Sequence, residues 1–233
     1  MGAPPYTRGM SEDAAKSPED CARCGKPAAL CICGDIAAMD HRIAVLMLQH
    51  PQEQDVALGT ARLTALHLKN ASLKIGLSWP SLSKALARPA DPKRWAVAYL
   101  GSARAAELGA GREIVVLDRK GEPARDQDAA LAEIEGIVLL DGSWSQAKAL
   151  WWRNPWMLKC PRIVLGPRRP SRYGKLRREP RRDALSTIEA AALLLSRLEA
   201  RPDIERTMTQ SLERLLERYR ATRHRQKAIT GRQ

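Results

Sequence analysis

Apolar residues along this chain come in short clusters separated by polar, Gly-marked or Pro-marked breaks. Ile43 to Leu48 is an aliphatic run closed by Gln49-His50-Pro51-Gln52-Glu53, and it reads as a strand. Gly59-Thr60-Ala61 opens a helix that reaches about Leu68, and Ala71 to Leu77 reads as a second strand. Residues 80–94 are punctuated by proline and read as a surface loop or a short helix. Strands follow at Trp95 to Leu100, Ile114 to Leu117, Ile137 to Leu140 and Arg162 to Leu165, with a helix at about Ala129 to Glu135. The segment from Ser186 to about Arg220 reads as two amphipathic helices divided near Pro202. Strands alternating with segments of crossover length predict an α/β protein: a mostly parallel sheet covered by helices on both faces.

The stretch from Ile137 to Leu150 organises the rest. Four apolar residues, Ile137 to Leu140, form a short buried strand that Asp141 and Gly142 break. Ser143 is placed to cap a helix from Trp144 towards Trp152. A carboxylate is thereby presented at the carboxyl end of a strand beside a helix N-terminus, where open α/β sheets hold ligands and where anionic groups are favoured. An ordinary strand–turn–helix with a capping Asp is the competing account. A second such start follows at Ser186, whose spacing to Glu189 matches a capping box.

Composition adds limits. A 233-residue chain allows one medium domain with a small appendage, and without Phe the six Trp and the aliphatics supply the core bulk. No apolar run approaches the roughly 18 residues of a membrane span. Residues 1–18 are polar, without an apolar leader, and read as a disordered tail, so a cytoplasmic location is expected. The net charge of +13 favours a polyanionic partner, nucleic acid before membrane.

That charge is concentrated. Arg168, Arg169, Arg172, Lys175, Arg177, Arg178, Arg181 and Arg182 fall within fifteen positions, against the single acid Glu179. Pro167, Pro170, Gly174 and Pro180 keep the stretch from being a regular helix. Arginine forks suit phosphates, and Tyr173 within the run can stack on a base, so an RNA-contacting loop is favoured over a solvated face. Some of these arginines could instead hold the carboxylate of a small ligand.

The cysteines form a second cluster. Cys21-x-x-Cys24 and Cys31-x-Cys33 lie within thirteen positions. In a reducing compartment paired thiols read as a structural zinc site before reduced structural thiols, since four thiolates fill the tetrahedron and leave no open position. Cys160 stands apart and reads as a small buried hydrophobe.

Taken in order, these motifs resemble one family, the DTW-domain tRNA-uridine aminocarboxypropyltransferases. The marks are Cys21-x-x-Cys24 with Cys31-x-Cys33, His50-Pro51-x-Glu53, Gly59-Thr60-Ala61, Asp141-Gly142-Ser143-Trp144-x-Gln146-Ala147, Leu176-Arg177, and Leu185-Ser186-Thr187-x-Glu189-Ala190. Ser143 stands where the naming motif has Thr and keeps its hydroxyl. The resemblance runs from Cys21 to about Leu195. It implies a fold similar to the SPOUT class of knotted α/β RNA methyltransferases, with a four-cysteine zinc knuckle at 19–38, a catalytic domain at 39–222 and a basic tail at 223–233. It also implies S-adenosylmethionine as donor, a tRNA uridine N3 as acceptor (in the variable loop for bacterial relatives), and methylthioadenosine as the released product.

By the same resemblance the donor pocket uses Thr60, Trp144, Ala147, Ser186 and Thr187, with Gly142, Ser143, Leu165, Gly166 and Leu185 beside them. A sulfonium activates three carbons, so geometry alone selects the aminocarboxypropyl carbon over the methyl. Uridine N3 must lose its proton to attack, and a carboxylate can take it. Asp141 is the expected base. His50 is the second candidate, with a packed strand-end role as its alternative. Trp144 would stack on the donor or pack as a core residue, and Trp151, Trp152 and Trp156 are expected in the core. The competing functions are a SPOUT-like RNA methyltransferase, an rRNA aminocarboxypropyltransferase, and a zinc-bearing RNA-binding module without catalysis. Monomer and dimer are both compatible with the sequence.

Overall fold

The fold was described from a computed structural model covering residues 20–98, 112–118, 120–166, 169–174, 176 and 185–230, with side chains through 225. Six strands form one sheet: β1 (Ala44–Gln49), β2 (Ala71–Ile75), β3 (Trp95–Ala98), β4 (Ile114–Leu117), β5 (Gly136–Asp141) and β6 (Arg162–Leu165), in the order β2-β1-β5-β3-β6-β4. Neighbouring strands run parallel except β4, which joins β6 antiparallel at one edge. The α-helices among the described residues are α1 (Ala61–His67), α2 (Leu82–Leu86), α3 (Gln127–Ala132), α4 (Trp144–Arg153), α5 (Thr187–Leu198) and α6 (Pro202–Thr230).

Burial follows the apolar pattern. All six residues of β1 are buried, as a strand covered on both faces requires, whereas edge strand β2 is only half-buried. Alternate side chains feed two cores. Val45, Met47, Ile137 and Leu139 pack under α1, α5 and α6, while Ala44, Leu46, Leu48, Val138 and Trp95 pack against Leu82, Trp156 and Met157. The sheet's start is tight at Gly136, where a Cβ would lie 2.5 Å from the Trp95 ring. Leu30, Ile32 and Ile36 join the first of these cores, so the cysteine segment is packed into the same interior as β1.

The last helix is longer than the apolar pattern alone indicates. Ile204, Met208, Leu212, Leu215 and Leu216 seat α6 on α5. Beyond Tyr219 no apolar stripe remains, yet the helix continues to Thr230, through a stretch rich in good helix formers and free of Pro and Gly. Among the described residues no helix is long and apolar enough to cross a membrane.

Trp152 departs from the core position expected for it. Trp156 is buried and Trp151 is half-buried against the second core, but Trp152 is 74% exposed. Helical periodicity explains it: Ala147 and Leu150 point α4 into the protein, and Trp152 falls on the opposite side.

Candidate functional site

Because β1, β5 and β6 are parallel, their carboxyl ends share one edge of the sheet. Register then does specific chemical work. Gln49 lies opposite Asp141 at the last pair of the β1–β5 ladder, and His50 N–H continues it by donating to the Asp141 carbonyl at 2.9 Å. On a common face such partners touch, and Gln49 Nε2 donates to Asp141 Oδ2 at 2.8 Å. The other carboxylate oxygen, Oδ1, accepts from Thr187 Oγ1 at the first turn of α5. Asp141 is 7% exposed. One buried carboxylate thus joins β1, β5 and the start of α5.

The surrounding turns are built by local rules. Ser143 caps α4, its Oγ accepting from Gln146 N at 3.4 Å while Gln146 Oε1 accepts from Ser143 N at 2.6 Å. Gly142 is required by close approach, since a Cβ there would meet Gln146 Cβ at 2.9 Å. Trp144 is 37% exposed, and Ala147 is buried one turn on. Ser186 caps α5 in a second capping box with Glu189, and Ile188 N–H donates to Thr60 Oγ1 at 3.3 Å. Thr60, Asp141, Ser186 and Thr187 are therefore brought together. Leu165, Gly166 and Leu185 are half-buried, with Gly166 N–H donating to the Glu113 carbonyl. His50 is half-buried, and its Nδ1 accepts from Gln52 N at 3.3 Å, which occupies one ring nitrogen with a local turn.

The basic loop divides. Arg168, Lys175, Arg177, Arg178, Arg181 and Arg182 lie outside the described residues. Arg169 is exposed. Arg172 is tethered, with its N–H on Glu189 at 2.8 Å and its Nε 3.0 Å from Glu213. Tyr173 corrects the expected base-stacking role: it is 1% exposed, and its hydroxyl donates to the Leu58 carbonyl at 2.5 Å. Burying the ring satisfies the core, and the phenol finds a partner. The consequence is an anchor. Ser171, Arg172 and Tyr173 fasten the start of the arginine loop to α5, α6 and the turn before Thr60.

The sulfurs of Cys21, Cys24, Cys31 and Cys33 all lie within 4.8 Å of one another. Tetrahedral zinc with bonds near 2.3 Å needs sulfurs about 3.8 Å apart, so the four donors fit that ion with little adjustment. Backbone N–H groups of Cys24 and Arg23 pull the Cys21 thiol down to about 6, while burial raises Cys24 and Cys33. Cys160 is buried and pushed up to about 12, consistent with an inert core thiol.

Two residues of this region carry no motif in the sequence. Gln49 is one; only the β1–β5 register exposes its contact. The other is Lys26, 5% exposed, whose Nζ donates to the carbonyls of Ala57 at 2.7 Å and Gly59 at 2.8 Å. It ties the cysteine knuckle to the turn that presents Thr60. A cavity of about 360 Å³ lies between them, lined by Lys26, Gln49, Glu53, Gly59 and Arg62 among others.

A family model described as the DTW domain matches residues 18–220. Curated proteins named tRNA-uridine aminocarboxypropyltransferase 2 are similar to this chain. The one from Macaca fascicularis is 29% identical over 213 residues, 88% of this chain and 64% of its own length. That from Drosophila melanogaster is 28% identical, covering 89% of this chain and 77% of its own. That from Mus musculus is 30% identical, covering 88% and 64%. The chain thus spans less than two thirds of the length of the two mammalian relatives. No solved structure matches. With Asp141, Gly142, Ser143 and Trp144 at the strand end and the match running through nearly all of the described fold, the chain belongs to the DTW domain family.

Proposed function

We propose that this protein transfers the 3-amino-3-carboxypropyl group of S-adenosylmethionine to N3 of a uridine in tRNA, in the variable loop, releasing methylthioadenosine. The names of the relatives and the family match support the reaction class. The observation that carries the mechanism is the bridged carboxylate: Asp141 holds Thr187 on one side and Gln49 on the other.

In this reading the donor sits against Thr60, Trp144 and the start of α5, with Gly142, Ser143, Ala147, Leu165, Gly166, Leu185, Ser186 and Thr187 lining its pocket. Uridine N3 attacks the aminocarboxypropyl carbon, the carbon–sulfur bond breaks, and its electron pair stays on sulfur. The N3 proton passes to Asp141. Each Asp141 oxygen accepts one hydrogen bond and keeps a further lone pair for that proton. Gln49 and Thr187 fix the carboxylate's orientation, so little reorganisation accompanies the transfer. His50, already engaged with Gln52, serves as the second candidate for the same proton. The basic loop brings the tRNA phosphates. Zinc, held by Cys21, Cys24, Cys31 and Cys33, supplies a structural cross-link. A SPOUT-like topology belongs to the same reading, supported by the seating of β5 between β1 and β3.

The test is incubation with bulk tRNA and S-adenosylmethionine labelled either in the aminocarboxypropyl chain or in the methyl group, followed by nucleoside mass spectrometry. Chain label should enter a uridine while methyl label leaves with the thioether. Methyl label in the RNA would reassign the protein as a methyltransferase, and RNA binding without either label would leave a binding module.

A further inference from the structure

The outer face of α4 does not fit an ordinary solvated helix. At about 100° per residue, Trp144, Lys148 and Trp152 fall within an arc of about 80° outside the one that holds the buried Ala147 and Leu150, with Trp152 opposite that pair and Trp144 at its flank. Trp152 is 74% exposed, Trp144 is 37% exposed, and Lys148 between them is exposed. Exposing most of an indole to water carries no benefit for folding. Eight residues of helix separate the two rings by about 12 Å along the axis. Electrostatics select the class of partner. From Gly142 to Arg178 the sequence contains no Asp or Glu, against ten Lys and Arg. The stripe is therefore continuous in sequence with a region that repels acidic surfaces and attracts phosphate, and it starts directly after Asp141.

We propose that the Trp144–Lys148–Trp152 face of α4 is a single-strand RNA platform, on which bases flanking the target nucleotide stack while Lys148 holds a phosphate. The proposal rests on the tRNA-substrate reading above and adds where the strand lies. Alternating aromatic rings and cations are the means by which proteins grip unpaired nucleotides, and Trp144, which the donor also touches in the reading above, follows Asp141 by three residues, so that end of the platform leads to the reacting carboxylate.

The experiment titrates end-labelled tRNA with the full chain by fluorescence anisotropy across a salt series, without the donor. Trp152→Ala should weaken binding about five-fold or more, the lower bound for one stacked base. Trp152→Phe should restore most of it and Trp152→Leu should not. Lys148→Ala should reduce the slope of log affinity against log salt by about one. Affinity for S-adenosylmethionine, measured separately by calorimetry, should be unchanged in all of them, and so should the melting temperature, because these side chains leave the core untouched. Unchanged tRNA affinity in Trp152→Ala overturns the proposal. So does equal rescue by Leu and Phe, or a shift from dimer to monomer in sedimentation with RNA affinity intact, which would make the face a contact between copies. Wild-type protein that binds tRNA through Trp152 yet yields no modified uridine would sink the proposed activity and leave the platform standing. Wild-type that modifies uridine while Trp152→Ala binds normally would do the reverse.

Discussion

At Asp141 two donors converge on one buried carboxylate, and neither is its sequence neighbour. Replacing it with Asn keeps the size and one acceptor but removes the proposed base. Turnover by Asp141→Asn should fall about 100-fold or more, with tRNA affinity kept, as steady-state kinetics and filter binding would show. Turnover at the wild-type rate would return the role to His50 or another group. A second residue sets behaviour in acid. His67 is 1% exposed, and neither ring nitrogen has a hydrogen-bond partner among the described residues. Burial lowers its pKa to about 4 from 6.5. Between those values the unfolded chain takes up a proton that the folded chain refuses, so the group's contribution is intact above 6.5 and lost as pH falls towards 4. The loss between pH 7 and pH 4.5 should be about 2 kcal/mol in urea unfolding, and His67→Leu should flatten that limb.

The elements are short, and their ends carry the chemistry. The capping boxes at Ser143 and Ser186 were readable as motifs, because a cap is a contact between residues three apart and needs no tertiary information. The same is true of the strands Ile114–Leu117 and Arg162–Leu165, which match the apolar runs residue for residue. Exposure of Trp152 is legible too once α4 is phased by Ala147 and Leu150; grouping Trp152 with Trp151 and Trp156 as core material hides it. Tyr173 was not legible, because what buries it is the turn at Leu58, 115 residues away. Gly136→Ala tests how tightly the central strand is packed. A methyl 2.5 Å from the Trp95 ring forces movement, and the variant should lose about 1–3 kcal/mol in denaturant unfolding.

On the scale of the molecule, the cysteine segment and the sheet edge that carries Asp141 share one interior. Leu30, Ile32 and Ile36 pack with β1, and Lys26 reaches the turn before Thr60. Zinc removal should therefore lower the melting temperature of the whole fold in a single transition by calorimetry, and Cys24→Ser should do the same without chelator. Two separate transitions would show that the knuckle is an independent unit. By itself the sequence determined the alternation of elements, the capped helix starts, the thiol cluster and the clustering of basic residues, because each depends on periodicity or on neighbours a few residues apart. Only the tertiary structure decided that β4 runs antiparallel at the edge, that Gln49 stands level with Asp141, that Thr187 closes on the same carboxylate, and that Tyr173 is an anchor. Those contacts join residues from 46 to 115 positions apart, set by strand order and register, to which local pattern is blind.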